Sequence, residues 1–250
     1  MVSIKKERAS EAAELESFAR SLGAEIYGVA SAEAFKEYPK KPQPSLFVPD
    51  AKSVITIGMP FTPEIYATVA KPHLSGVSRK ASDGSTLTDT KPERRPPAGL
   101  ERYFTNDENA ILTHEVALIA YKMARKLNKE GEKAFYLPGP FKQDPRFKTA
   151  PFQLTAGMYL AGMGQMGYNC SILTREFGPR IWVTAIITTK ELPAGSPIEP
   201  RIYEGCADCM ECVKRCPSTA LNGKGWKNVH QCAAYGCCGT CLAVCPIGNE

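Results

Sequence analysis

The sequence predicts an α+β chain in two parts: a layered helix-and-sheet domain over residues 1–192, then a small cysteine-bearing module over residues 193–250. Three observations predict it. Strand-like apolar runs alternate with helix-period segments through the first part. Leu192 to Pro200 carries three prolines and a glycine and reads as a connector. Nine of the ten cysteines then fall between Cys206 and Cys245.

From Ala9 to Leu22 apolar residues recur at helical spacing (Ala12, Ala13, Leu15, Phe18, Ala19, Leu22), and Gly23 supplies a stop. Glu25 to Ala30 reads as a short strand. Pro49-Asp50 turns the chain into Ser53 to Met59, a β-branched run suited to a buried strand. Lys71 to Pro97 is polar and poor in large apolar residues, so a long loop is expected, of the kind that serves as a lid or stays disordered. Asp107 to Lys129 predicts a helix whose apolar face holds Ile111, His114, Ala117, Leu118, Tyr121 and Leu127. Pro138-Gly139-Pro140 makes a rigid turn into a basic loop ending at Thr149, and Pro151 to Leu160 is helical again. Gly162-x-Gly164-x-x-Gly167 matches a dinucleotide fingerprint by letter. A helix-like segment precedes it, however, and no acidic residue follows about twenty positions later at the end of a second strand. It reads instead as a tight turn whose exposed backbone lets a planar ligand approach. Ile181 to Thr188 is a strand, apolar throughout.

The cysteines carry the chemistry. Cys206-x₂-Cys209-x₂-Cys212-x₃-Cys216-Pro217 is the ligand run of a bacterial two-cluster ferredoxin, in which the fourth cysteine serves the other cluster. Cys238-x₂-Cys241-x₃-Cys245-Pro246, with Cys232 upstream, supplies the second half. The spacing assigns Cys206, Cys209, Cys212 and Cys245 to one [4Fe–4S] cluster and Cys216, Cys232, Cys238 and Cys241 to another. Cys237 is either a spare thiol or a replacement for Cys238, and Cys170 reads as a small buried hydrophobe. Disulfides suit a secreted, cysteine-dense chain, which this is not. Zinc asks for cysteine pairs set further apart than three thiols at consecutive two-residue gaps. His73, His114 and His230 form no metal-ligand pair.

The formal charge is +5. Eight thiolates around two cores of about +2 each bring the loaded protein to about +1, which removes any global case for nucleic-acid binding. No apolar run reaches the length of a membrane span, and the N-terminus is polar and lysine-bearing. A cytoplasmic protein with reduced thiols is therefore expected.

Ala161 to Thr189 (AGMGQMGYNCSILTREFGPRIWVTAIITT), followed by the double cysteine motif, resembles corrinoid-dependent reductive dehalogenases and epoxyqueuosine reductases. The resemblance extends to FARSLGAEIYGVA, to Pro49 through Gly58 and to Trp226 through Pro246. It implies that the first part is a nitroreductase-like α/β sandwich holding base-off cobalamin, and that the ferredoxin-like 2[4Fe–4S] module reduces it through Cys216, Cys232, Cys238 and Cys241. Gly162, Gly164, Gly167, Gly178 and Arg180 would then lie along the corrin. Candidate proton donors beside it are Tyr103, Tyr136 and Lys148.

Three departures accompany the resemblance. Lys148-Thr149-Ala150-Pro151 stands where epoxyqueuosine reductases carry Asp-Ser-Ala-Pro. Their tRNA-binding helical-repeat extension and the twin-arginine signal of respiratory dehalogenases are expected to be missing; Arg94-Arg95 is internal. The resemblance implies an oxidoreductase acting on a small-molecule substrate, fed by an electron-donor protein. Three other readings stand beside it: a non-catalytic electron-transfer protein docking on a partner redox protein, flavin in place of cobalamin, and RNA modification. Nucleic acid and membrane are not expected partners.

Overall fold

In the computed structural model, residues 2–38, 42–70, 79–80, 86–87, 99–139 and 152–248 are described. Helix α1 (Val2–Ser21) starts earlier than its apolar spacing suggests and ends where expected. Gly23 takes φ +105°, and the Ala24 amide returns to the Ala19 carbonyl at 3.1 Å, closing the last turn. Strand β1 (Ile26–Ser31) leads through two 3₁₀ turns into β2 (Ser53–Pro60) and helix α2 (Pro63–Ala70). Within the stretch expected to be loop, β3 (Arg79–Lys80) and β4 (Thr86–Leu87) pair antiparallel; its other residues lie outside the described set.

Helix α3 runs Gly99–Lys129, eight residues longer at its start than the sequence suggests. Its buried stripe also differs from the expected one. Leu112, Val116, Ile119, Ala120, Met123, Ala124 and Leu127 face the core, while Ile111, Leu118 and Tyr121 are exposed. The helix carries two apolar stripes, and the sheet covers only one. Tyr121 instead meets Tyr136 edge-on, ring centroids 5.6 Å apart, on a strand absent from the sequence reading, β5 (Ala134–Tyr136).

After α4 (Leu154–Leu160), β6 (Gln165–Met166) and β7 (Ile172–Leu173) make a small hairpin, and β8 (Ile181–Thr188) enters the main sheet. The sheet order is β1-β2-β8-β5 and every pairing is antiparallel. The alternation of strands and helices along the chain therefore does not produce parallel crossover units. The central strands read apolar throughout because both faces are covered. Ile55, Ile57 and Ile186 pack on one side with Leu15, Ala19, Met123 and Leu127 from α1 and α3. Val54, Val183, Ala185 and Ile187, one residue out of phase, pack on the other with Phe35, Phe152, Met158 and Tyr159.

The segment from Leu192 to Pro200 is irregular but anchored. The Gly195 amide reaches the Val29 carbonyl at 2.9 Å, and the buried Tyr159 hydroxyl donates to Glu199 at 2.6 Å. Four short helices follow: α5 (Cys206–Cys209), α6 (Glu211–Lys214), α7 (Val229–Ala234) and α8 (Thr240–Ala243). Helices α8 and α2 meet at a seam where Phe61, Tyr66, Leu112 and Ala243 are buried together. The sheet thus docks directly onto the second half of the cysteine motif. Among the described residues, no helix is long and apolar enough to cross a membrane.

Candidate metal centre

Short helical turns broken by left-handed residues point the cysteines inward. Met210, directly after Cys209, takes φ 53°, ψ 7°, and separates α5 from α6. Gly239, directly after Cys238, takes φ 75°, ψ −8°, and starts α8. The two Cys-x₂-Cys units, Cys209 to Cys212 and Cys238 to Cys241, therefore bend at the same position. This internal symmetry matches Cys238 with Cys209 and leaves Cys237 opposite Asp208, which carries no thiol. Asn228 caps α7 by accepting from the Gln231 amide at 3.1 Å, fixing the turn that presents Cys232.

Cys206, Cys209, Cys212 and Cys245 line a single cavity of about 190 Å³, together with Tyr168, Asn169 and Ile247. That volume is roughly six times the ~30 Å³ share of one water molecule. Zinc would draw its sulfurs to about 2.3 Å from one point. Among the described residues, no three His, Cys, Asp or Glu side chains converge on a single ion in that way. Four thiols spread around such a volume leave room for a polynuclear core. Burial, reinforced by the neighbouring Cys241, Cys206 and Cys245, pushes the Cys212 thiol up to about 12. Burial likewise raises Cys206 and Cys245. As free thiols these groups are protonated at neutral pH, and they become ligands by giving up protons to a metal.

The second set is packed differently. Cys216 is buried with Ala220 and Leu221, and Cys232, Cys241, Cys212 and Cys170 pack against them. Burial pushes the Cys241 thiol up to about 12 against the pull of Lys227. Burial works against the Lys227 ammonium too, but Cys241, Cys232, Cys170 and Cys237 around it hold its proton more firmly, so its pKa ends above that of ordinary lysine. Cys232 is raised chiefly by its hydrogen bond with Cys237 and then by burial. This contact favours Cys237 as a partner of Cys232, whereas the backbone symmetry favours Cys238. The backbone is the better guide, because thiol rotamers reset when metal binds. Two hydroxyls stand beside this set: Ser218 Oγ is 3.5 Å from Cys216 Sγ, and Thr240 Oγ1 is 3.3 Å from Cys238 Sγ. Sequence reasoning missed both, although each lies two residues after its cysteine.

The residues nominated to line a corrin make close contacts within the chain. A Cβ on Gly162 would meet the Ser196 carbonyl, on Gly164 the Leu173 carbonyl, on Gly167 the Asn169 side chain, and on Gly178 the Ile247 carbonyl. All four glycines accommodate the chain's own close packing. Arg180 is buried and donates to the carbonyls of Leu242, Cys245 and Ile247. Tyr136 is half-exposed on β5, against Tyr121. Tyr103 falls on α3 with its side chain outside the described set, and Lys148 lies outside the described residues altogether.

No family model matches the chain. The tetrachloroethene reductive dehalogenase of Sulfurospirillum multivorans is 33% identical over 109 residues, 35% of this chain and 22% of that protein. An epoxyqueuosine reductase from Lactococcus garvieae (strain Lg2) is 25% identical over 208 residues, covering 83% of this chain and 49% of its own length. Among solved structures, an epoxyqueuosine reductase with a tRNA-Tyr epoxyqueuosine-modified stem loop superposes with a TM-score of 0.57 at 18% identity, covering 100% of this chain and 67% of that one. A reductive dehalogenase structure bearing on B12-dependent dehalogenation gives 0.64 at 15% identity, covering 94% and 32%. The chain is thus similar to both branches of the corrinoid and iron–sulfur reductase superfamily and shares their fold. It spans about half or less of the length of these curated relatives.

Proposed function

We propose that this chain is a reductase-type redox protein carrying two [4Fe–4S] clusters, one held by Cys206, Cys209, Cys212 and Cys245, the other by Cys216, Cys232, Cys238 and Cys241. The observation that carries the reading is the ring of four cysteines, drawn from both halves of the motif, around one cavity. Bound there, the clusters would supply one-electron transfer; the chain's own part is to exclude water, fix the thiolates and place hydroxyl donors beside Cys216 and Cys238. Helix α8, which carries Cys241, packs on α2, and electrons would leave on that side. Cobalamin as acceptor is supported by the resemblance to dehalogenases and epoxyqueuosine reductases.

The test is anoxic purification of the full chain, followed by dithionite reduction watched by EPR and titration with cobalamin. Reducible cubane signals and a stable corrinoid complex are expected. A reducible protein that takes up no corrinoid would reject the corrinoid part and favour the second reading, a non-catalytic electron-transfer protein docking on a partner. That second reading is favoured by one observation: the glycine turn from Gly162 to Gly178 is filled by the chain itself. A yellow chromophore released on denaturation would instead assign flavin.

The expectation against nucleic acid, drawn from net charge and from the missing helical-repeat extension, is set aside, because a structural neighbour is solved with a tRNA stem loop. A modified tRNA is accordingly one candidate substrate beside small organic ones. Salt-dependent binding to a tRNA stem loop tests it, and no binding at low salt rejects it.

A further inference from the structure

Arg180 is 7% exposed, in the turn that feeds β8. Its Nη1 donates to the carbonyls of Leu242 (3.3 Å) and Cys245 (2.9 Å), and its Nη2 donates to that of Ile247. The first partner lies in α8 and the other two in the loop that carries the crossing ligand of the first site. Gly178, two residues earlier, is bare of a Cβ where Ile247 presses against it. Neutral carbonyls orient a guanidinium but do not cancel its charge. Among the described residues no carboxylate pairs with it; its hydrogen-bond partners are the three carbonyls.

Buried charges in folded proteins are paired. Four thiolates around a core of about +2 carry a net charge of about −2, which is the counter-charge this guanidinium lacks. We propose that Arg180 is the positioning residue and counter-ion of the cluster held by Cys206, Cys209, Cys212 and Cys245. It ties the Cys245 loop to the sheet and raises that cluster's reduction potential. Reduction adds one electron to the core and makes the site more negative, so a fixed adjacent cation stabilises the reduced form. The electron comes from an external one-electron donor, which is oxidised in step.

The inference rests on the two-cluster reading, and the experiment separates the two. The full chain, prepared without oxygen, is titrated with a mediated one-electron reductant and followed by EPR as wild type, Arg180→Gln and Arg180→Lys. Signals are assigned through Cys212→Ser and Cys241→Ser, each of which removes one cluster. In Arg180→Gln, the reduction equilibrium of the first cluster is expected to fall at least tenfold, a shift of 59 mV for a one-electron couple, with the second cluster unmoved. Arg180→Lys, which restores charge but not the three-carbonyl grip, recovers most of that shift. Unchanged potentials in Arg180→Gln, or equal shifts in both clusters, overturn the proposal. Should Arg180→Gln lose the first cluster, Arg180→Lys decides: retention near the wild-type potential supports the role, and loss of both clusters overturns it. A wild-type chain without iron sinks the two-cluster reading itself.

Discussion

The two cysteine sites are built from the same motif but housed in opposite ways. The first surrounds an open cavity and receives its cation, Arg180, from the sheet domain through backbone carbonyls. The second is crowded: its thiols pack against Leu221 and one another, two spare cysteines stand close by, and its cation, Lys227, comes from the same module. The difference teaches that one sequence pattern sets the number of thiols, whereas tertiary contacts set the charge and polarity around each set.

The largest expected effects come from removing single ligands. Cys212→Ser is predicted to leave the second site loaded and Cys241→Ser the first, each lowering iron from about eight to about four atoms per chain. Loss of all iron in either variant would show that the two sites are one cooperative unit and end the contrast. Next comes the choice between adjacent thiols. Cys238→Ser should empty the second site while Cys237→Ser keeps its iron, as the matching bends at Met210 and Gly239 require. The reverse result would make the Cys232–Cys237 contact the true guide.

Acidity gives a smaller effect shared by both sites. Cys212 and Cys241 are each raised to about 12, mainly by burial. A thiol pKa lifted above its unfolded value of about 8.5 stabilises the metal-free fold below that pH, and this stability is lost as pH rises toward the folded value. Cluster assembly has the opposite slope, since every ligand must release a proton. Reconstitution yield should climb from pH 7 to pH 9 while the metal-free module melts more easily over the same span. A flat yield would contradict the raised thiols. Smallest is Tyr159→Phe, which removes the hydrogen bond to Glu199 in the connector. It should cost about 1 kcal/mol of stability in denaturant unfolding and leave iron content unchanged at both sites.

The gathering of Cys206, Cys209, Cys212 and Cys245 around one cavity was legible because thiolate geometry constrains spacing along the chain. Arg180 was legible only as part of a resemblance, since its partners lie more than sixty residues away and are carbonyls, which every residue has. Lys227 gave no signal apart from its place near Cys232. Ser218 and Thr240 did leave one, a hydroxyl two residues after a cysteine in each half. In the sheet domain, the buried runs of β2 and β8 were readable, whereas β5, three residues long, was too short to carry a period. The face of α3 was misread because Ile111, Leu118 and Tyr121 form a stripe as regular as the buried one beside it. The antiparallel order of the sheet was hidden as well, because strands alternating with helices satisfy either direction of pairing.

The most direct measurement is Mössbauer spectroscopy of the iron-57-labelled full chain, isolated without oxygen, with iron and acid-labile sulfide counted on the same sample. The account predicts about eight of each per chain, all in cubane clusters. Zinc in their place, or iron held near four atoms with the thiols of one set free, would contradict it.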